Sequence, residues 1–419
     1  MSSSVTSKKA VLSLMLARIF YTVNWFNIPA IFYFIAIDLD EDVTALGFIT
    51  ASFFIGVGLF QVLAGILSAK YSPKRIAILG ITIASTAALL SAFSTDILYI
   101  VVLRFIVGIG MAFFFGPSVI LISESMGKQS EGLGIGLLNS AHAIGGIIGL
   151  FVWVLVAEQV GWRSSIVLSA IAGLITVLIL RIWLPKASEL QRRQRKRCPN
   201  LEEANIEGIK QSDTDFEIEQ GNFNVKFEYI KRTVLNKSLI ILGVALLGFQ
   251  VGSGLIWSFI VFYLADHVKI EPTVAGLIGS LSLIIALISS PIVGRIYDRI
   301  GNAKKLLAIS GLISAISITM IGVLQSNIAF LVISIVVAGF FLAWGFVIVY
   351  AKAKQVNTRS PASYQTLSVS YVNGISLFGA FWIPIIFANI INQFGYLTAW
   401  IVGGAIFLAF IIPILMLEE

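Results

Sequence analysis

Twelve times along its 419 residues the chain carries an apolar run long enough to cross a lipid bilayer. A spanning helix needs about 20 such residues. The runs fall at 10–37, 44–69, 76–93, 97–123, 133–156, 164–184, 238–264, 273–297, 306–324, 328–350, 364–390 and 398–417. With 58% of its residues hydrophobic and 12% charged, the chain could not hide its apolar surface as a water-soluble globule. The same composition excludes a disordered chain, and a single cysteine, Cys198, excludes a disulfide framework. Closed β-barrels also satisfy a backbone in lipid, but their strands alternate polar and apolar residues. The run 97–119 does not alternate, so the spans are read as helices. The first run is too long for a signal peptide and lacks a small-x-small cleavage site before Asp38, so it is expected to remain as span one.

Basic residues orient these spans. Counting loops and span ends, 25 Lys/Arg fall on the side of the N-terminus, and only Arg163 and Lys269 fall on the other. The remaining two of the 29, Arg18 and Arg104, lie within spans. This bias predicts that both termini and the long middle loop are cytoplasmic in a multi-pass cell-membrane protein. The formal charge of +7 is then a topology signal and not a sign of nucleic-acid binding.

Six spans, a polar loop and six more spans suggest duplication. Gly65 to Lys74 after span two reappears as Gly294 to Lys304 after span eight, at an offset of 229. Asn139, Gly145, Gln159 and Gly161 match Asn373, Gly379, Gln393 and Gly395 at an offset of 234, where Trp162 also meets Tyr396. Each half has an even number of spans, so both enter the membrane from the same face, as parallel repeats do. The expected organisation is a bundle over 1–184, a charged cytoplasmic linker over 185–237 and a second bundle over 238–419. The linker's basic run at 192–197 suits anionic lipid heads, or simply a solvated positive-inside anchor.

These features resemble the major facilitator superfamily over essentially the whole chain. The family's loop signature, G-x-x-x-D-R/K-x-G-R, is well kept in Gly294, Asp298, Arg299, Gly301 and Lys304. Its first copy retains Gly65 and Lys70, but Ala69 replaces the Asp and Ser72 the Gly. Arg104, Gly108, Gly110 and Ala112 fit the span-four signature, and Gly161-Trp162-Arg163 is a common family feature. The resemblance implies an all-α integral membrane protein with twelve transmembrane helices in two six-helix pseudo-symmetric bundles. It also implies alternating access, with the loop motif stabilising one access state through Asp298. Gly145-Gly146-Ile-Ile-Gly149 lacks the proline of the family's antiporter signature.

Ionisable groups inside a membrane are costly and mark function by default. Arg18, Arg104 and His142 are those groups here. At 100° per residue Thr22, Trp25 and Pro29 share the face of Arg18, whereas Asn24 and Asn27 point elsewhere. An offset of 232 sends Arg18 to Gln250 and Trp25 to Trp257, so these four suit the wall of a central site. Arg18 either attracts an anionic group there or snorkels to the cytoplasmic face. Arg104 either touches substrate or serves helix packing by pairing with backbone carbonyls or Glu124, and its repeat mate is Ile335. His142 either carries a coupled proton or hydrogen-bonds a neighbouring helix. Asn139 and Asn373 are either site residues or interhelical hydrogen-bonding residues.

The reading is a secondary active transporter of a small solute, foremost a small organic or inorganic anion, moved as a symporter with a proton as the candidate coupled ion. Efflux of amphipathic compounds is the second transport reading, and a non-transporting sensor is the third. No enzyme constellation is present in the sequence, no cofactor or metal is expected, and the protein is expected to be a monomer among membrane lipids.

Overall fold

The computed structural model describes residues 2–126, 131–184, 233–356 and 362–417, and among these every regular element is helical. Most of the expected linker, with Cys198 and the basic run 192–197, lies outside the described residues, as do Lys128 and Arg359. The first half contains α1 (Ser2–Leu39), α2 (Val43–Tyr71), α3 (Pro73–Ser91) and α4 (Ile97–Met126). Next, α5 (Glu131–Ile147) runs through a π-helical stretch, Ile148–Val152, into α6 (Trp153–Val160), and α7 (Trp162–Trp183) follows. The second half contains α8 (Lys237–Phe262), which ends in a π-helical turn, Tyr263–His267. It continues with α9 (Pro272–Ile300), α10 (Ala303–Val323), α11 (Ile328–Val356), α12 (Ala362–Ala380) and α13 (Ile383–Ile411).

Eleven apolar segments meet the length for crossing a membrane, but the last, Tyr371–Met416, has 46 residues and is too long for one crossing. Gly395 divides it: its φ of 80° and ψ of 170° break α13 into two stretches. That gives the twelve expected spans. The helices outrun the apolar windows because they continue to their caps. Asp42 accepts from the Thr44 amide at 2.7 Å, Asn236 from Leu239 at 3.1 Å and Asn302 from Lys305 at 2.7 Å. Pro73 and Pro272 occupy first turns, where a missing N–H costs nothing.

The repeat reappears in the backbone. Gly161, at φ 82° and ψ 153°, adopts nearly the conformation of its mate Gly395. Gly301 closes α9 at φ 68°, and its mate Ser72 closes α2 at φ 102°, a region that disfavours a side chain. The π-helical stretch beginning at Ile148 matches the break between α12 and α13 at Phe381-Trp382, again at an offset of 234. Beyond those breaks, Trp162 Nε1 donates to Asp38 Oδ2 at 3.2 Å in one half, and Tyr396 Oη donates to Asp266 Oδ2 at 3.4 Å in the other. Arg163 adds an ion pair to Asp38 at 2.5 Å.

The two halves pack closely on this Asp38 face. A Cβ at Gly47 would lie 2.9 Å from the Pro384 carbonyl, one at Gly276 2.5 Å from the Leu150 carbonyl, and one at Gly146 2.6 Å from Leu283. Towards the opposite, basic face the same test at Gly65, Gly136 and Gly294 meets nothing within 4 Å. At mid-depth the halves meet through Phe26 and Trp257, edge to face at 5.4 Å, and nearer the Asp38 face through Phe32 and Phe262 at 5.3 Å. Among the described residues the halves therefore pack tightly on the Asp38 face.

Candidate functional site

The site is organised by α1. Its Pro29 lacks an N–H, so the carbonyl of Trp25, four residues earlier, loses its helical partner. The Ile28 amide bonds to Asn27 Oδ1 at 2.8 Å, which draws on the donor that would serve the Asn24 carbonyl. Arg104 of α4 compensates for both, with Nη1 donating to Asn24 O at 2.8 Å and Nη2 to Trp25 O at 3.3 Å. Its guanidinium carbon lies 4.7 Å from the Phe53 ring centroid, and the residue is only 2% exposed. The geometry of Arg104 thus matches the carbonyl-pairing expectation, at the bend of α1. Asn24 Nδ2 donates to the Phe20 carbonyl of its own helix at 3.2 Å, and Asn27 Nδ2 to Ser169 Oγ at 3.3 Å.

Arg18 is arranged differently. It is buried, at 7% exposure, and lies between aromatic rings, its guanidinium carbon 4.5 Å from the Tyr21 centroid and 4.8 Å from that of Phe115. It lies in the field of Tyr350 from α11 in the other half. Its Nη1 is buried and has no partner among the described residues. A buried cation held by ring faces and leaving the Nη1 donors unused is an anion receptor in form.

Next to it, Thr22 Oγ1 bonds the Arg18 carbonyl at 3.0 Å and His142 Nδ1 at 2.8 Å. Gly145, one turn after His142, makes this contact possible. A Cβ there would sit 2.5 Å from the Ile19 carbonyl and 2.8 Å from Thr22 Cβ, so only glycine lets α5 lie this close to α1. Across the interface, Asn373 of α12 accepts from the Tyr350 hydroxyl at 2.8 Å. Its repeat mate Asn139 is instead exposed on α5. The sequence repeat therefore does not give these asparagines matching environments.

Gln250 is buried on α8, and the adjoining Gly254 has open space where a side chain would stand. Trp25 and Trp257, mates in the repeat, have different neighbours. Trp25 packs inside its own half against Phe53 and Phe54, at 5.1 and 5.6 Å, and the contact with Trp257 is made by Phe26. Tyr21, Phe115 and Tyr350 surround Arg18 and were not singled out from sequence.

The loop motif lies apart from this centre. Asp298 and Arg299 are exposed in the last turn of α9, and Gly301 caps that helix with its N–H on the Tyr297 carbonyl at 2.8 Å. Lys70 is the penultimate residue of α2, and Gly65 is exposed one turn before it. In the same turn of the first half, Lys74 Nζ reaches the carbonyls of Arg181, at 3.2 Å, and Leu184. A cation there meets the negative end of α7.

Comparison with known proteins places this geometry. The chain is 26% identical over 174 residues to the probable sulfoacetate transporter SauU of Cupriavidus necator, covering 41% of this chain and 40% of that protein. It is 30% identical over 187 residues to the sialic acid transporter NanX of Escherichia coli K12, covering 43% of this chain and 44% of that one. Each match thus spans less than half of the relative's length. In fold the chain is similar to the partially occluded, inward-open xylose transporter XylE of E. coli, with a TM-score of 0.75 at 16% identity over 99% of each chain. The sequence model of the Major Facilitator Superfamily matches twice, at residues 14–257 and 240–419. The chain belongs to that superfamily of membrane transporters for small solutes.

Proposed function

We propose that this transporter carries a small organic anion, of the carboxylate class, and that Arg18 is its anchor. The observation that carries the reading is the unpartnered, buried Nη1 of Arg18. A guanidinium taken out of water normally regains its lost hydrogen bonds from protein groups. Here Nη1 is left over, about two helical turns from the Phe26–Trp257 contact and in the field of Tyr350 from the other half. The names of the two relatives agree in chemistry, since sulfoacetate and sialic acid both bear a carboxylate.

In this reading the bundles over 1–184 and 238–419 rock about the site, and 185–237 tethers them on the cytoplasmic side. The basic face is cytoplasmic, as the 25-to-2 distribution of Lys and Arg supports. The tightly packed Asp38 face is then the outer one, and uptake is the favoured direction. Gln250, Phe115, Trp257 and Tyr350 shape the substrate's surroundings, and the protein works as a monomer.

A thermal-shift screen of purified protein against carboxylates and sulfonates tests the reading. An anion at 100 times its dissociation constant stabilises the folded state by about 2.7 kcal/mol. Arg18→Gln should lose that shift, and should itself unfold no earlier than wild type, because it removes an incompletely paired buried charge. Stabilisation by amphipathic cations alone would instead favour efflux.

A further inference from the structure

We propose that His142 binds one proton for each anion that Arg18 binds, making the carrier an electroneutral proton–anion symporter. The inference rests on the anion reading above and adds the coupling ion and its seat.

The proton arrangement follows from Thr22. Its hydroxyl has one hydrogen and two close partners, the Arg18 carbonyl at 3.0 Å and His142 Nδ1 at 2.8 Å. Both bonds coexist in one arrangement only: Thr22 O–H donates to the carbonyl, and His142 Nδ1–H donates to Thr22 Oγ1. The neutral ring is thereby fixed as the Nδ1–H tautomer. Nε2 keeps its lone pair and is the atom that takes up a proton, while the bond to Thr22 is retained in both states. Thr22 thus ties the ring to the turn of α1 that carries Arg18.

Burial, and after it the charge of Arg18, makes that proton conditional. From α1, His142 faces Arg18, with which it interacts electrostatically, and the neighbouring phenol is Tyr21. From α4 the ionisable residues are Tyr99 at its start, Arg104, committed to two carbonyls, and Glu124, nine residues (about 14 Å) beyond Phe115. α9 carries no ionisable side chain between Thr273 and Gly294. From the second half, Tyr350 reaches Arg18. With the site empty, a proton on His142 would place a second positive charge beside Arg18. An anion on Arg18 Nη1 cancels that repulsion, so the proton and the anion each raise the affinity for the other by the same factor.

The charge balance closes. The empty site carries Arg18 alone, at +1. The loaded site carries Arg18, a monovalent anion and protonated His142, again at +1. Loaded and empty carriers therefore cross with the same buried charge, and neither direction bears an extra desolvation cost.

The test is proton uptake on mixing purified protein with benzoate or benzenesulfonate in weak buffer, with a pH dye. The sulfonate stays ionised throughout and cannot carry the proton itself. The expected result is one proton taken up per anion bound, and an affinity that rises as pH falls, approaching tenfold per unit. His142→Gln should keep anion binding and lose both effects. Anion binding without proton uptake, or uptake unchanged in His142→Gln, overturns the role of His142 and leaves the anion site standing. Binding of neither probe, nor of other carboxylates in the thermal screen, removes the anion site and this inference together. A second measurement needs no variant at the site. The chain has two histidines, so ¹⁵N-histidine spectra, with His267→Asn for assignment, report the His142 tautomer directly. An Nε2–H tautomer overturns the proposal.

Discussion

Asn392 reaches across the interface to Thr44, Nδ2 to Oγ1 at 2.5 Å, and the same amide donates to Asp42 at 2.7 Å. The repeat supplies a counterpart. Thr44 maps to Thr273 at an offset of 229 and Asn392 to Glu158 at 234, and Thr273 Oγ1 does donate to Glu158. Each bond joins the first turn of one half's second span to the end of the other half's fifth. The Asp38 face is thus held shut by a two-fold pair of contacts. In a Cys198→Ser background, Thr44→Cys/Asn392→Cys and Glu158→Cys/Thr273→Cys should both form disulfides under mild oxidant. Each should fix the Asp38 face closed, read as lost labelling of central cysteines from that side. Cross-linking of one pair and not the other would refute the symmetric closure.

Arg104 and Pro29 should be energetically coupled. Arg104→Met leaves two α1 carbonyls poorly paired and should cost about 2–4 kcal/mol. Pro29→Ala returns an amide to the Trp25 carbonyl, so the same substitution should cost less in that background. A double-mutant cycle by thermal unfolding in detergent gives the coupling, which should exceed about 0.5 kcal/mol. Strict additivity would remove Arg104 from the bend.

Gly145→Ala drives a methyl into the backbone of Ile19 and should destabilise by about 1–3 kcal/mol. It should also separate His142 from Thr22. Gly136→Ala, on the same helix with nothing within 4 Å, should be nearly neutral and serves as the control. Equal melting temperatures for the two variants would contradict the close α1–α5 approach.

The two motif turns offer a reciprocal experiment. Ser72 holds a positive φ of 102° with a side chain, and Gly301 holds one of 68° without. Ser72→Gly should stabilise by about 1 kcal/mol, and Gly301→Ala should destabilise by a similar amount. A melting temperature lowered by Ser72→Gly would count against strain at that turn.

The Asp38–Arg163 ion pair should contribute little to stability despite its 2.5 Å separation, because both side chains are more than 40% exposed. Asp38→Asn should leave the melting temperature in detergent nearly unchanged, and a clear drop would contradict this.

The spans were legible because each is a continuous apolar run, and the twelfth was legible although helix continues almost through Gly395. That residue repeats Gly161, and the two share a conformation. Gly145 could be found in the same way, as a glycine that recurs at a fixed offset, in Gly379. Arg18 and His142 stood out because charge is rare in these spans. What they touch did not. Tyr21, Phe115 and Tyr350 are ordinary aromatics in a chain where 12% of residues are aromatic, and only the packing of α1, α4 and α11 selects them. Pro29 announced a carbonyl without a partner, but nothing in sequence said that Arg104 would supply one. Asn139 and Asn373 show the converse: equivalent positions in the repeat whose surroundings have diverged.

The π-helical stretch from Ile148 and the break at Phe381-Trp382 have a mechanical consequence. A helix that has already given up its regular i→i−4 ladder bends there at little further cost. Both halves carry this soft point at the same depth, just inside the contacts that close the Asp38 face. The outer ends of these two spans can therefore swing while their inner ends, bearing His142 on one side and Asn373 on the other, keep their register with the site. Each half has, in effect, a wrist as well as a shoulder.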